Sequence, residues 1–155
     1  MKRIGIGLSD FKELIEEDFY YFDKTKFIDE IVKDGAKVKL FARPRRFGKT
    51  LNMSMLKYFF DIKEAEENRK LFKNLYIEKT ESFKEQGQYP VVFLSLKDLK
   101  ATTWEEMERK IIIILSDFFS EYEYLLNELT GISFENLKNI IYRKADIDEL
   151  TTTLK

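Results

Sequence analysis

Apolar residues along this chain follow two rhythms. In most stretches they recur every three or four positions, the spacing of one face of a helix. Phe11, Leu14 and Ile15 share such a face, with Ser9 or Asp10 as the cap and Glu13 completing a capping box with Asp10. Ahead of them, Ile4, Ile6 and Leu8 alternate as in a short strand or an extended arm. Phe27, Ile28, Ile31 and Val32 predict a second helix, capped by Asp23 and stopped at Gly35. Leu51, Met55 and Phe59, with Leu56 and Phe60 beside them, predict a buried helix from Leu51 to Phe60. Lys63 to Leu75 predicts another, with Leu71, Phe72 and Leu75 inside, and Glu78 to Gln88 reads as a loop with one turn of helix. Thr103 and Glu106 form a further capping box before a long helix, whose stripe runs from Trp104 and Met107 through Ile111, Leu115 and Phe118 to Tyr122 and Leu125. Gly131 separates it from a helix capped by Ser133 and carrying Leu137, Ile140 and Ile141, and Asp146 to Lys155 reads as helical.

The second rhythm is nearly continuous. Lys37 to Ala42 is a β-type run, and Val91 to Leu96, opened by Pro90, predicts a strand covered on both faces. Between the first run and the helix from Leu51 lies Arg43-Pro44-Arg45-Arg46-Phe47-Gly48-Lys49-Thr50. Strand, loop, Gly-Lys-Thr and helix is the layout of a phosphate-binding loop, although arginine stands at position 43, where the usual pattern has its first glycine. Amides at such a junction, at the positive end of the helix dipole, bind polyphosphate without acid or base side chains. Gly48 allows close approach, Lys49 is placed for the β- and γ-phosphates, and Thr50 for Mg²⁺. Pro44 stiffens the loop and removes one donor. The alternative is an ordinary turn carrying a basic cluster.

Upstream, Phe19-Tyr20-Tyr21-Phe22 reads most simply as core. With the Asp23-Lys24-Thr25 turn it also offers an adenine-side wall, for which Tyr21, Phe22, Asp23 and Thr25 are the candidates. Composition narrows the chemistry. The 155 residues contain neither cysteine nor histidine, which excludes disulfides, Cys/His zinc sites and histidine-based triads, so any metal must take oxygen ligands. The charges nearly cancel, 27 basic against 28 acidic, so net charge favours neither nucleic acid nor an anionic membrane. The longest apolar run, Ile111 to Leu115, is too short to span a bilayer, and the chain is expected to be soluble and cytoplasmic.

The loop string, the following Leu51-Asn52-Met53-Ser54-Met55-Leu56 and Phe59-Phe60-Asp61 resemble the predicted AAA-ATPase family of prokaryotes. Ile6-Gly7-Leu8-Ser9-Asp10-Phe11, Tyr20-Tyr21-Phe22-Asp23-Lys24-Thr25 and Tyr89-Pro90-Val91-Val92-Phe93-Leu94-Ser95-Leu96-Lys97-Asp98 resemble the same family in the same order. The resemblance implies that arginine at position 43 is the normal form of the loop. It also implies an ATPase-like domain, often joined in relatives to a C-terminal domain similar to PD-(D/E)xK nucleases, of which no residue can be placed here.

The expected fold is therefore α/β, a partial three-layer P-loop NTPase-like fold of the AAA type. It would be helix-rich with few parallel strands, comprising an N-terminal helical segment (1–36) and a truncated core (37–155) within one domain. Hydrolysis needs a second, acidic strand motif. Ser95 stands where the acid is expected, Asp98 lies past the strand end, and the resemblance places the family's acidic (Walker B) strand beyond Lys155. The isolated chain is then expected to be marginal, or to pair its two strands directly. The expected function is binding of ATP and Mg²⁺ through Arg43 to Leu51, with Thr50 on the metal and without turnover by this segment alone. Alternatives are an interaction protein with a vestigial loop, docking a protein partner or the remainder of a longer chain, and a nucleic-acid module using Arg43, Arg45 and Arg46.

Overall fold

Several of the helices start directly after a capping side chain or a left-handed residue. Residues 2–42, 44, 46–96, 99–121, 132–142 and 144 are described in the computed structural model, and the chain divides into two compact units, Met1–Phe93 and Leu94–Lys155. In the first unit, Asp10 is extended and its carboxylate accepts the Glu13 amide at 3.0 Å, so α1 (Phe11–Glu16) is capped as expected. Helix α2 (Lys26–Lys33) starts from Thr25 rather than Asp23 and ends at Asp34, before Gly35. Asp23 instead closes a side-chain turn, accepting from the Thr25 amide at 2.8 Å and its hydroxyl at 2.7 Å. Helix α3 (Lys49–Phe60) begins directly after Gly48. The helix expected over Lys63–Leu75 is shorter. Glu64 and Asn74 take left-handed backbone angles, and α4 (Ala65–Lys70) lies between them. Two 3₁₀ turns, Tyr76–Lys79 and Glu81–Glu85, follow where a loop with one helical turn was expected.

These elements close over one apolar cluster of Phe11, Ile28, Met55, Phe59, Leu71, Phe72 and Ile77. Phe72 is its centre, stacked on Phe11 with centroids 5.2 Å apart and edge-on to Phe59 at 5.2 Å. Burying each such ring stabilises the unit by about 1.5–3 kcal/mol. Polar bolts accompany the packing: the Phe11 amide donates to Ser54 Oγ on α3 at 2.9 Å, and Ser82 donates to the buried Asp29 on α2 at 2.6 Å. The far end of α3 is also tied, because Gly87 N donates to the Phe59 carbonyl at 2.8 Å and Tyr89 N to that of Phe60 at 3.0 Å. The aromatic run at 19–22 is only partly core. Tyr21 packs edge-on to Phe11, while Tyr20 and Phe22 are exposed.

In the second unit, α5 (Trp104–Glu121) packs on α6 (Ile132–Ile141) through Leu115 and Ile140, with Ile111, Ile112 and Phe119 around them. Thr103 Oγ1 accepts the Glu106 amide at 3.2 Å, as the capping box predicts. Glu106 itself receives Lys110 first, then the Thr102 amide and hydroxyl, which together hold its carboxyl down at about 2. Helix α6 begins ahead of Ser133, at Ile132. The expectations for Tyr122, Leu125, Gly131, Asp98 and Asp146–Lys155 lie outside the described residues. No helix among the described residues is long and apolar enough to cross a membrane.

The expected α/β architecture is overturned. Among the described residues the regular structure is helical, with no β-strand and only an isolated parallel bridge between Asp61 and Tyr89. Neither apolar run is a strand: Val38 and Leu40 are 87% and 91% exposed, and Val92, Leu94 and Leu96 are exposed as well. Among the described residues no ladder joins the two runs. A β-rich composition marks a segment that fits a pleated, half-buried surface, and it becomes a strand only when a ladder partner supplies that surface. Here the apolar face of α3, which the expected fold assigns to a sheet, is occupied by α1, α4 and the turns after them.

Candidate functional site

The backbone makes two left-handed turns as it enters α3, at Arg46 (φ 69°) and Gly48 (φ 69°, ψ 24°). Glycine takes this conformation without the steric cost other residues meet there. Gly48 delivers Lys49 and Thr50 as the first turn of a twelve-residue helix, whose leading amides and dipole present partial positive charge. Pro44, Arg46, Phe47, Lys49 and Thr50 are all exposed, while Leu51 turns inward against the core; Arg43 and Arg45 lie outside the described residues.

Beside this junction is a cavity of about 560 Å³. Phe47 and Lys49 of the loop line it, Asn52 and Met53 continue the wall along α3, and Lys24, Phe27, Lys39 and Phe41 face them. Phe27 and Phe41 meet edge to face at 4.9 Å and form an apolar side. The lining is thus divided between aromatic surface and lysine. One polar atom in it lacks a partner among the described residues, the buried Oδ1 of Asn52. A buried amide oxygen left open is costly.

The lysines are held differently. Lys39 is tied to the end of α2, donating to the carbonyls of Asp34 at 3.0 Å and Ala36 at 2.7 Å and pairing with the Asp34 carboxylate at 3.4 Å. The Ala36 amide, and after it Lys39, keep the Asp34 carboxyl below its ordinary range. Lys24 stands on a pinned turn. Its amide donates to the Tyr21 hydroxyl at 3.1 Å, and that hydroxyl donates to Met55 Sδ at 3.3 Å. Burial pushes the Tyr21 hydroxyl up to about 12, so it remains a neutral link.

The expected adenine-side residues are brought to this turn and are engaged by the chain. Asp23 accepts from the Tyr76 amide at 2.7 Å as well as from Thr25, and the fully buried Thr25 accepts from the Ile77 amide at 3.1 Å. Phe22 is 71% exposed, and none of Tyr21, Phe22, Asp23 and Thr25 is among the residues lining the cavity. Phe27, Phe41, Asn52, Met53 and Lys39 were not among the expected site residues, and Lys24 was expected only as part of the Asp23-Lys24-Thr25 turn. A signal existed for two of them: Asn52 and Met53 follow Lys49 at the i+3 and i+4 positions, which share a helix face.

A polyphosphate fits the cationic side and the helix terminus, and a flat base fits the aromatic side. For Mg²⁺ the fit is narrower. Thr50 is the hydroxyl at the helix start, and no cluster of three or more Asp or Glu able to hold a metal occurs among the described residues. An ion there would take its remaining ligands from phosphate and water.

A family model described as "Predicted AAA-ATPase" matches residues 5–151. A relative from Azotobacter chroococcum mcd 1, described as an uncharacterized protein in the vnfD 5' region, is 30% identical over 116 residues. That match covers 74% of this chain and 21% of the relative, so the chain spans about a fifth of that protein's length. No solved structure matches.

Proposed function

The chain belongs to the predicted AAA-ATPase family, and from that premise we propose that it is a nucleotide-binding module taking ATP with Mg²⁺ at the mouth of α3. Arg43 to Leu51 form the phosphate loop, Lys49 contacts the β- and γ-phosphates, and Thr50 holds the metal. The observation that carries this reading is Gly48, left-handed and directly capping a three-turn helix that starts with Lys49 and Thr50 beside a cavity of suitable chemistry. The activity assigned to this segment is binding. Turnover needs an acid to hold and orient water, and Asp98, the acid nearest the expected position, lies outside the described residues.

The test is calorimetric titration of the 155-residue chain and of Lys49→Ala with Mg·ATP. Binding by the first and not the second supports the reading, and equal or absent binding in both removes it. The competing reading, an interaction protein with a vestigial loop, draws on the exposure of Val38, Leu40, Val92 and Leu96. It requires that Lys49→Ala change nothing in nucleotide binding.

A further inference from the structure

Resting on that reading and deepening it, we propose that Lys24 is a second phosphate-binding lysine of the same site, reaching the polyphosphate from across the loop. The geometry at Gly48 is the starting point. A methyl group built on Gly48 would lie 3.6 Å from Lys24 Nζ, so the ammonium stands over the face of the glycine that a loop of this kind leaves bare for phosphate. Lys24 also lines the cavity that Lys49 enters from the helix.

The carboxylate that precedes Lys24 in sequence is committed to other donors. Asp23 directs one oxygen to the Thr25 amide and hydroxyl and the other to the Tyr76 amide. The turn itself is fixed, with Tyr21 holding the Lys24 amide and the buried Thr25 anchoring the next residue to Ile77. A lysine on a fixed turn loses less freedom on meeting a ligand than one on a loose loop. Lys39, the remaining lysine of the lining, is already engaged by Asp34 and two carbonyls, so Lys24 is the residue placed for this task. The ligand class is a nucleoside di- or triphosphate, whose charge is spread over several phosphates and can be met from two sides.

The experiment titrates Mg·ATP into the 155-residue chain and into Lys24→Gln, Lys24→Arg, Lys26→Gln and Lys49→Ala, with thermal melts of each. Lys26 is exposed on α2, pairs with Glu30 and lies outside the lining, so its variant repeats the charge change without the position. The expected result is a loss of about tenfold or more in Lys24→Gln, the scale of one charge-assisted hydrogen bond. Lys24→Arg should keep most of the affinity, Lys26→Gln all of it, and the melting temperatures should be unchanged. Wild-type affinity in Lys24→Gln, with binding abolished in Lys49→Ala, overturns the role of Lys24 and leaves the nucleotide reading standing. Equal losses in Lys24→Gln and Lys26→Gln overturn it in favour of general charge, and equal losses in Lys24→Gln and Lys24→Arg in favour of packing. No binding by the wild type removes the nucleotide reading itself.

Discussion

Replacing Gly48 by alanine separates what the loop does for stability from what it does for binding, and Gly87 supplies the comparison. Both glycines are left-handed, at φ 69° and 70°. An L-residue held there costs about 1–2 kcal/mol. At Gly48 the new methyl meets, among the described residues, nothing closer than Lys24 Nζ at 3.6 Å, an ordinary contact, so backbone strain is the penalty counted there. At Gly87 the same methyl would lie 2.5 Å from the Cβ of Ala65 on α4 and 3.4 Å from its Cα, so part of the backbone must move. Overpacking of that kind adds roughly 1–3 kcal/mol, for a total of about 2–5 kcal/mol at Gly87. In a unit of this size each kcal/mol lowers the melting temperature by roughly 4–8 °C. Urea denaturation followed by circular dichroism should rank Gly87→Ala as clearly the less stable. Titration with Mg·ATP under folding conditions should give the opposite order, because only the methyl at Gly48 would stand on the face proposed for phosphate. An equal stability loss in the two variants would refute the steric reasoning. Wild-type affinity in Gly48→Ala would refute the placement of phosphate over that glycine.

Two further predictions concern the framework under the site. Thr25→Val keeps the volume but removes the acceptor for the buried Ile77 amide, so it should cost about 1–3 kcal/mol in urea denaturation, with Thr25→Ser recovering most of that; a cost below about 0.5 kcal/mol for valine would contradict the assigned hydrogen bond. The Asp29 carboxyl is held below its ordinary value of 3.8 by Lys33 first and Ser82 second. A carboxyl lowered on folding stabilises above its unfolded value, and that contribution fades as pH falls through the folded value. The stability gap between wild type and Asp29→Asn should therefore hold steady near neutral pH and narrow below about pH 4, and a gap that ignores pH would count against the pairing. The same bond raises Lys33, whose contribution is full below 10.5 and is lost as pH climbs through the folded value.

The parts of this molecule that could be read from sequence are those whose physics is local. Asp10, Glu13, Phe11 and Leu14 carry both the cap and the buried face of α1 within a few residues, and α3 likewise shows its stripe in Leu51, Met55 and Phe59. The apolar runs at 37–42 and 91–96 are not the strands expected, because a strand depends on a ladder that local composition does not specify. Asp23 was misplaced by a similar ambiguity, since the residue types that cap helices also close side-chain turns just ahead of them. In the candidate site, the loop expected over Arg43 to Leu51 was visible as a contiguous motif because its residues follow one another in sequence. Lys24 did not stand out, because its approach to the open face of Gly48 arises only in the folded chain.

The hydrogen bonds from Gly87 and Tyr89 to the last carbonyls of α3 set a lower limit on how far the polypeptide can be trimmed. The loop lies at the start of that helix, yet the helix is completed by residues well downstream of its end. A fragment cut shortly after Phe60 would keep the whole phosphate-loop string and lose Leu71, Phe72 and Ile77 from the cluster beneath it, together with both donors that close the helix. The smallest portable version of the loop is therefore not the motif but the motif with everything through Tyr89.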